Sequence, residues 1–328
     1  MRAPDFWWRR PGPLSGLLAP AGWCYGLAVR LRFWAATPKN APVPVVCVGN
    51  LIAGGAGKTP VALDLGQRLR ARGTAVHFLA RGYGGRLAGP LRVDPDAHDA
   101  DQVGDEALLL ARVAPTWIAR DRAKGVDAAA QGAQAIVMDD GFQDPAVVKD
   151  LSFVVVDGAF GFGNGRVIPA GPLRESIARG LERADALVVV GADAWGVAAH
   201  ADVRSSGLPI LGTAIAPGPE ASRLSGRPVV AFAGIGMPGK FFAMLEGCGC
   251  RVAASHAFPD HHPYAAHEIA RLKSEADGKK ATLVTTEKDF VRLPRDARDG
   301  VVAVPIALKW TDQAALDAMV ERILDNRD

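Results

Sequence analysis

Gly54, Gly55, Ala56, Gly57, Lys58 and Thr59 follow the apolar run at residues 45–48 and lead into a stretch with helical composition. Strand, glycine loop, Gly-Lys-Thr and helix together form the setting in which a phosphate is cradled. Backbone N–H groups turn inward at the glycines, and the start of the helix adds partial positive charge. Lys58 can reach the outer phosphates, and the Thr59 hydroxyl can ligate Mg2+. The usual pattern has a glycine where this chain has Ile52, so Gly54 and Gly55 are expected to supply the loop's freedom. A plain glycine-rich turn has a similar composition; the flanking strand and helix favour the nucleotide reading. Asp139 and Asp140 end the apolar stretch Ile136-Val137-Met138. Beside a phosphate loop, a carboxylate at a strand end holds Mg2+ opposite the loop hydroxyl. On its own the pair would read as a turn or a cap.

Other polar residues are less specific. Asp105 and Glu106 follow Val103-Gly104 at a helix start, where acidic residues also simply complement the helix dipole. Phe258-Pro259-Asp260-His261-His262 places three polar side chains in series without a further spaced metal ligand. Arg120, Arg122 and Lys124 could meet phosphate or form a solvated helix face. Cys47 reads as a core residue, and Cys248-x-Cys250 lacks the second pair that a zinc site requires. Nothing suggests a disulfide framework, which fits a reducing compartment.

The elements that must position these residues alternate. Expected strands lie at 43–48, 75–80, 116–119, 135–138, 153–156, 186–190 and 210–215. Helices are expected between them at 60–72, 104–113, 122–131 and 176–184. This order predicts an α/β fold, a parallel sheet covered on both faces, with ligands at the carboxyl ends of its strands. Pro, Gly and Ser then become dense, and a smaller α/β unit follows, with strands at 229–233, 252–257, 281–285 and 301–305. The expected organisation is an N-terminal segment at 1–37, a P-loop domain at 38–217, a linker at 218–228 and a smaller domain at 229–328. A net charge of +3 without a basic, aromatic-interleaved stripe argues against nucleic acid as a partner. The chain is expected to act as a monomer.

Residues 1–37 differ from the rest. Trp7, Trp8, Arg9 and Arg10 precede an uncharged run at 11–29, and Arg30, Arg32 and Trp34 follow. Pro20, Gly22 and Gly26 are expected to interrupt this run, and Trp23 and Tyr25 sit well inside it. Aromatic and arginine clusters at both ends favour a helix lying in the membrane interface over a spanning helix, a core helix or a signal peptide.

In series, these stretches resemble a known family. They are Val48-Gly49-Asn50 with the glycine loop, Arg81-Gly82-Tyr83-Gly84, Val103-Gly104-Asp105-Glu106, and Met138-Asp139-Asp140-Gly141-Phe142-Gln143. Phe162-Gly163-Asn164-Gly165, Pro169-Ala170-Gly171-Pro172-Leu173-Arg174-Glu175, Ala233-Gly234-Ile235-Gly236 and Thr286-Glu287-Lys288-Asp289 complete them, with the Asp260-His261-His262 stretch. The chain is similar over nearly its whole length to the tetraacyldisaccharide 4′-kinases of Gram-negative bacteria. The resemblance implies transfer of the ATP γ-phosphate to the 4′-hydroxyl of a lipid A disaccharide precursor at the cytoplasmic face of the inner membrane. It implies two α/β/α domains joined by a β-linker, with the site in the cleft between them. It places the catalytic pair on Asp105 and His261, and the magnesium aspartates on Asp139 and Asp140. Arg81, Tyr83, Glu106, Arg122, Gln143 and Glu175 match further active-site positions. The chain departs from the family pattern at Ala107, where proline is usual, and at Asp144, where histidine is usual.

Two other classes compete. A membrane-associated P-loop switch ATPase shares a Gly-Gly-x-Gly-Lys-Thr loop, but Ala53 stands where its signature lysine would be. A Rossmann oxidoreductase would need G-x-G-x-x-G opening a helix, whereas Gly161-x-Gly163-x-Gly165 leads into an extended stretch.

Overall fold

The computed structural model describes residues 4–325, so the start of the expected N-terminal segment and the end of the expected smaller domain lie outside the described residues. α1 (Pro13–Ala35) precedes β1 (Val45–Gly49) and α2 (Lys58–Ala71). β2 (Val76–Ala80), β3 (Leu91–Arg92), α3 (Ala100–Val103), α4 (Asp105–Ala111), β4 (Thr116–Ile118), α5 (Arg122–Ala130) and β5 (Ala135–Asp139) follow. Next come β6 (Leu151–Asp157), α6 (Ile177–Leu181), β7 (Ala186–Val190), α7 (Ala201–Ser206) and β8 (Ile210–Pro217). The remainder runs α8 (Pro219–Ser222), β9 (Pro228–Ala233), α9 (Pro238–Gly247), β10 (Arg251–Ala257), α10 (Ala266–Gly278) and β11 (Thr282–Thr286). It ends with α11 (Glu287–Arg292), β12 (Val301–Val304), β13 (Ile306–Trp310) and α12 (Gln313–Asp325).

The larger sheet has the order β13-β8-β7-β6-β1-β5-β2-β4-β3. It is parallel from β8 to β4, and each edge strand runs antiparallel. Every β1 residue is buried, as a strand covered on both faces requires. Val46 and Val48 pack with Val61, Leu65 and Phe78 on one face, while Val45 and Cys47 meet Ile136 and Met138 on the other. β1 lies between β5 and β6, where successive crossovers leave toward opposite sides. A crevice opens at such a switch point beyond the carboxyl ends of the strands. The phosphate loop therefore sits where this topology leaves room for a ligand. The second sheet, β10-β9-β11-β12, is parallel and carries its own core on each face.

The end of the chain departs from the expectation of one smaller unit at 229–328. β13 leaves the second sheet and pairs antiparallel with β8, with Leu308 opposite Ile215. Pro305 stands at the break between β12 and β13, where a missing N–H ends one ladder and frees the chain for another. α12 then lies against α2: Arg68 and Arg72 reach Asp317 at 3.2 and 2.7 Å. Trp310 Nε1 donates to Asp64 at 2.9 Å. The expected linker likewise contains the short helix α8.

The N-terminal segment is helical, as expected. α1 is one continuous helix through Pro20, and the glycines do not interrupt it. Gly22 is a contact point: a Cβ there would stand 2.9 Å from the Val167 carbonyl oxygen. Ser15 Oγ donates to the Ala170 carbonyl at 2.7 Å, and Trp7 Nε1 donates to that of Pro169 at 3.1 Å. The opposite side is open, with Leu17, Trp23 and Trp34 each more than three-quarters exposed. Among the described residues no helix is long and apolar enough to cross a membrane.

Candidate active site

The phosphate loop takes its shape from both its glycines and its neighbours. Gly57, at φ 85°, caps α2 in the left-handed region that disfavours side chains. The departure at Ile52 has a local reason: this residue is buried and bridges Leu173 in an antiparallel pairing. Ala53 N donates to Pro172 O and Arg174 N to Leu51 O, both at 2.7 Å. The first half of the loop is thus an extended edge stitched to residues 172–174. It needs a side chain to bury rather than a glycine, and the turning falls to Gly54–Gly57.

Lys58 and Thr59 open α2 and face the end of β5. The Thr59 hydroxyl donates to Asp139 Oδ2 at 3.0 Å, while Lys58 Nζ lies 3.7 Å from Asp140 Oδ1. The two aspartates differ. Asp140 also accepts from Arg174 at 3.0 Å. Burial works to raise its pKa, but the charges of Lys58 and Arg174 outweigh burial and hold it below its ordinary value. Asp139 has no such clamp. Burial, reinforced by the charges of Glu106 and Asp140, pushes its carboxyl up to about 7 despite Lys58 and the Thr59 hydrogen bond. Its Oδ1 is buried without a hydrogen-bond partner among the described residues. An unsatisfied buried carboxylate oxygen beside a phosphate-loop hydroxyl fits a hard cation, which accepts one or two carboxylates and leaves its other positions to phosphate and water.

Arg122 is buried beneath this pair rather than joined to a basic cluster. Its Nη2 donates to the carbonyls of Asp139 and Asp140 at 3.1 and 3.3 Å. Arg120 instead reaches the Gly85 carbonyl, and Lys124 pairs with Asp121 in solvent. Gln143 donates to the Asn50 carbonyl at 2.8 Å and to Glu175 at 3.2 Å. Glu175 is buried and accepts two bonds from Arg183, at 2.7 and 2.8 Å. The Arg183 guanidinium stacks over Phe33 of α1, 4.2 Å from its centroid. A continuous polar chain therefore links the seat of α1 to the phosphate loop.

A second group lies where the P-loop unit meets the smaller one. Gly104, at φ 87°, holds the turn into α4; a Cβ there would stand 2.4 Å from the Tyr83 carbonyl oxygen. This contact brings Arg81-Gly82-Tyr83-Gly84 beside Asp105, although the Tyr83 ring is 71% exposed and the Arg81 side chain also points to solvent. Asp105 is buried, and His261 of the second unit lies 3.1 Å from its Oδ2 through Nδ1. The remaining histidine of that stretch, His262, turns away to Glu268 at 3.1 Å. Among the described residues no group of three or more His, Cys, Asp or Glu side chains could hold a metal.

Two cations that the sequence reading did not assign share Asp105 with His261. Arg292 Nε donates to Asp105 Oδ2 at 2.8 Å, and Lys288 Nζ lies 3.8 Å from the same atom. Burial alone would raise the Asp105 pKa. The His261 hydrogen bond and the charges of Lys288 and Arg292 outweigh it and hold the carboxyl well below the usual range. Lys288 stands in a recognised stretch, but Arg292 lies beyond it, and only its i+4 spacing from Lys288 puts both on one helix face. Cys47, buried in β1, has its thiol pushed up to about 11 by burial and is inert core.

The chain matches the family model described as tetraacyldisaccharide-1-P 4′-kinase over residues 14–325. It is 54% identical to the tetraacyldisaccharide 4′-kinase of Paramagnetospirillum magneticum over 98% of this chain and 99% of that relative. It is 53% identical to the protein of that name from Rhodospirillum centenum, over 100% of this chain and 98% of the other. A crystal structure of LpxK from Aquifex aeolicus, described as an "apo" form in complex with ATP, superposes with a TM-score of 0.75 at 26% identity. That match covers 95% of this chain and 99% of the other.

Proposed function

Because the chain belongs to the tetraacyldisaccharide-1-P 4′-kinase family, we propose that its cleft binds ATP with Mg2+ and phosphorylates the 4′-hydroxyl of the lipid A disaccharide precursor in lipid A biosynthesis. The observation that carries the site assignment is the facing of two half-sites. Lys58, Thr59 and Asp139 form one group, and Asp105 with His261 from the smaller unit forms the other, while the charge of Glu106, next to Asp105, is felt at Asp139. We read the first group as holding the phosphoryl group and the second as meeting the hydroxyl. The switch-ATPase and oxidoreductase readings have no support from this family.

Lys58 and the loop N–H groups take the ATP phosphates, with the start of α2 adding its dipole. Asp139 and Thr59 would hold Mg2+, which when bound neutralises charge gathering on the phosphate oxygens. Asp140 does a different job, tying Lys58 to Arg174. The 4′-oxygen attacks the γ-phosphorus, the bond to the β-phosphate oxygen breaks, and ADP departs. The hydroxyl proton passes to Asp105. Its cationic neighbours make Asp105 a charged, oriented acceptor rather than a strong base. His261 contributes positioning, which a loose transition state favours. Arg81 and Tyr83, exposed at the rim beside Gly104, are assigned to the incoming sugar. The open face of α1, with Trp23 and Trp34 outward, docks in the headgroup region of the inner membrane's cytoplasmic face beside the lipid substrate.

Purified protein given radiolabelled ATP, Mg2+ and tetraacyldisaccharide 1-phosphate should transfer label to the lipid, with the new phosphate on the 4′-position. Label released only as inorganic phosphate would overturn the reading.

A further inference from the structure

Arg292 ends α11 with its side chain almost wholly buried, and all three nitrogens of its guanidinium are engaged. Nε and Nη2 both donate to Asp105 Oδ2. Nη1 donates to the Gly234 carbonyl at 2.8 Å and to Asp289 Oδ1 at 3.0 Å. Nη2 also lies 3.2 Å from His261 Nδ1. Behind it, the fully buried Asp289 accepts from the Tyr264 hydroxyl at 3.0 Å and from Thr286 Oγ1 at 2.7 Å. A planar fork bonded on both edges has one orientation, which a flexible ammonium would not.

The two Asp105 oxygens are used unequally. Oδ2 faces Arg292, His261 and Lys288. Oδ1 accepts a single backbone N–H, that of Glu106 at 2.9 Å, among the described residues. It therefore has a lone pair to spare. Resting on the phosphoryl-transfer reading above, we propose that Arg292, locked by Asp289, is the positioning residue that joins Asp105 to His261 across the cleft and leaves Asp105 Oδ1 as the atom that receives the hydroxyl proton. An ion pair serving stability alone would not need to end on the carboxylate that meets substrate. Nor would it draw its anchors, Gly234, Asp289 and His261, from three different stretches of the opposite unit.

The test uses the full chain at saturating ATP and lipid, with wild type and Asp105→Ala as references. Arg292→Ala should lower kcat by about 10²-fold, the scale of a misplaced catalytic group, with KM for ATP nearly unchanged. The acid limb of its kcat profile should move to higher pH, because Asp105 stays buried after losing one of its two cations. Asp289→Asn should move both quantities in the same direction by less. Arg292→Lys should restore much of the pH limb, which needs charge, and little of kcat, which needs the fork. If Arg292→Ala does not fold, Arg292→Lys and Asp289→Asn carry the same two readouts. Wild-type kcat in folded variants, or a lowered kcat with an unmoved acid limb, would overturn the proposal. Failure of wild type to phosphorylate the lipid, or full activity in Asp105→Ala, would instead overturn the reading beneath it.

Discussion

Among the described residues Lys58 has one ion-pair partner, Asp140, at 3.7 Å, which keeps its Arg174 partner when Lys58 is removed. Lys58→Ala should therefore fold normally and lower kcat about 10²-fold or more, because the lost charge acts on the transition state. Turnover beside a thermal unfolding curve checks this. Asp139 makes the opposite kind of prediction. Its carboxyl ionises near 4 when unfolded but at about 7 when folded. Between those values the folded state binds more protons, so the group's contribution is intact at low pH and is lost as pH rises through about 7. Asp139→Asn should thus stabilise the metal-free protein at pH 8, on the order of a few kcal/mol, and do little at pH 4. A Tm difference that does not grow with pH would contradict it. The phosphate loop and the strand-end aspartates were legible in the sequence because each depends on consecutive residues in a fixed local setting. Arg292 was not, since it stands 187 residues from the carboxylate it grips. With that cation unseen, the charge clamp that holds Asp105 well below the usual carboxylate range was not legible either.

At the scale of elements, strands buried on both faces were readable as apolar runs, and β7 falls at the expected residues. β13 was missed because its alternation follows Pro305 so closely that β12 and β13 read as one strand and a loop. α1 forms at an apolar run with aromatic ends, and Pro20, Gly22 and Gly26 lie within it. Its glycine and serine serve a close seat on residues 167–170, which composition cannot distinguish from a break. The seat and the open face can be separated. Replacing Trp23 and Trp34 together by Ser touches only exposed rings, so Tm should shift little. Binding to anionic phospholipid vesicles should fall about tenfold or more, from the apolar area lost to the interface. Vesicle co-sedimentation measures this, and unchanged binding would remove α1 from the docking surface.

On the scale of the whole molecule, Asp105 and His261 come from different units and meet at 3.1 Å. Acting as one device, they should not contribute separately. Asp105→Ala and His261→Ala should each cut kcat strongly, and the double variant should be little worse than the poorer single one. Additive losses in the double-mutant cycle would show two independent groups. Two domains and a cleft were foreseeable from the alternating pattern and from the family resemblance. The resemblance implies a β-linker between them, and in the structure the polypeptide crosses twice, out along β8 and back along β13.

That double crossing has a mechanical meaning. A single tether would let the smaller body swing and swivel with little restraint. Two antiparallel strands joined by backbone hydrogen bonds, from Ile306 opposite Pro217 to Trp310 opposite Thr213, behave as a leaf spring. The strip flexes readily across its thin direction, whereas twisting or shearing it would break the ladder. α12 clamps the far end of the strip to the helix that begins with Lys58 and Thr59. The motion that this strip opposes least is therefore bending across its thin direction.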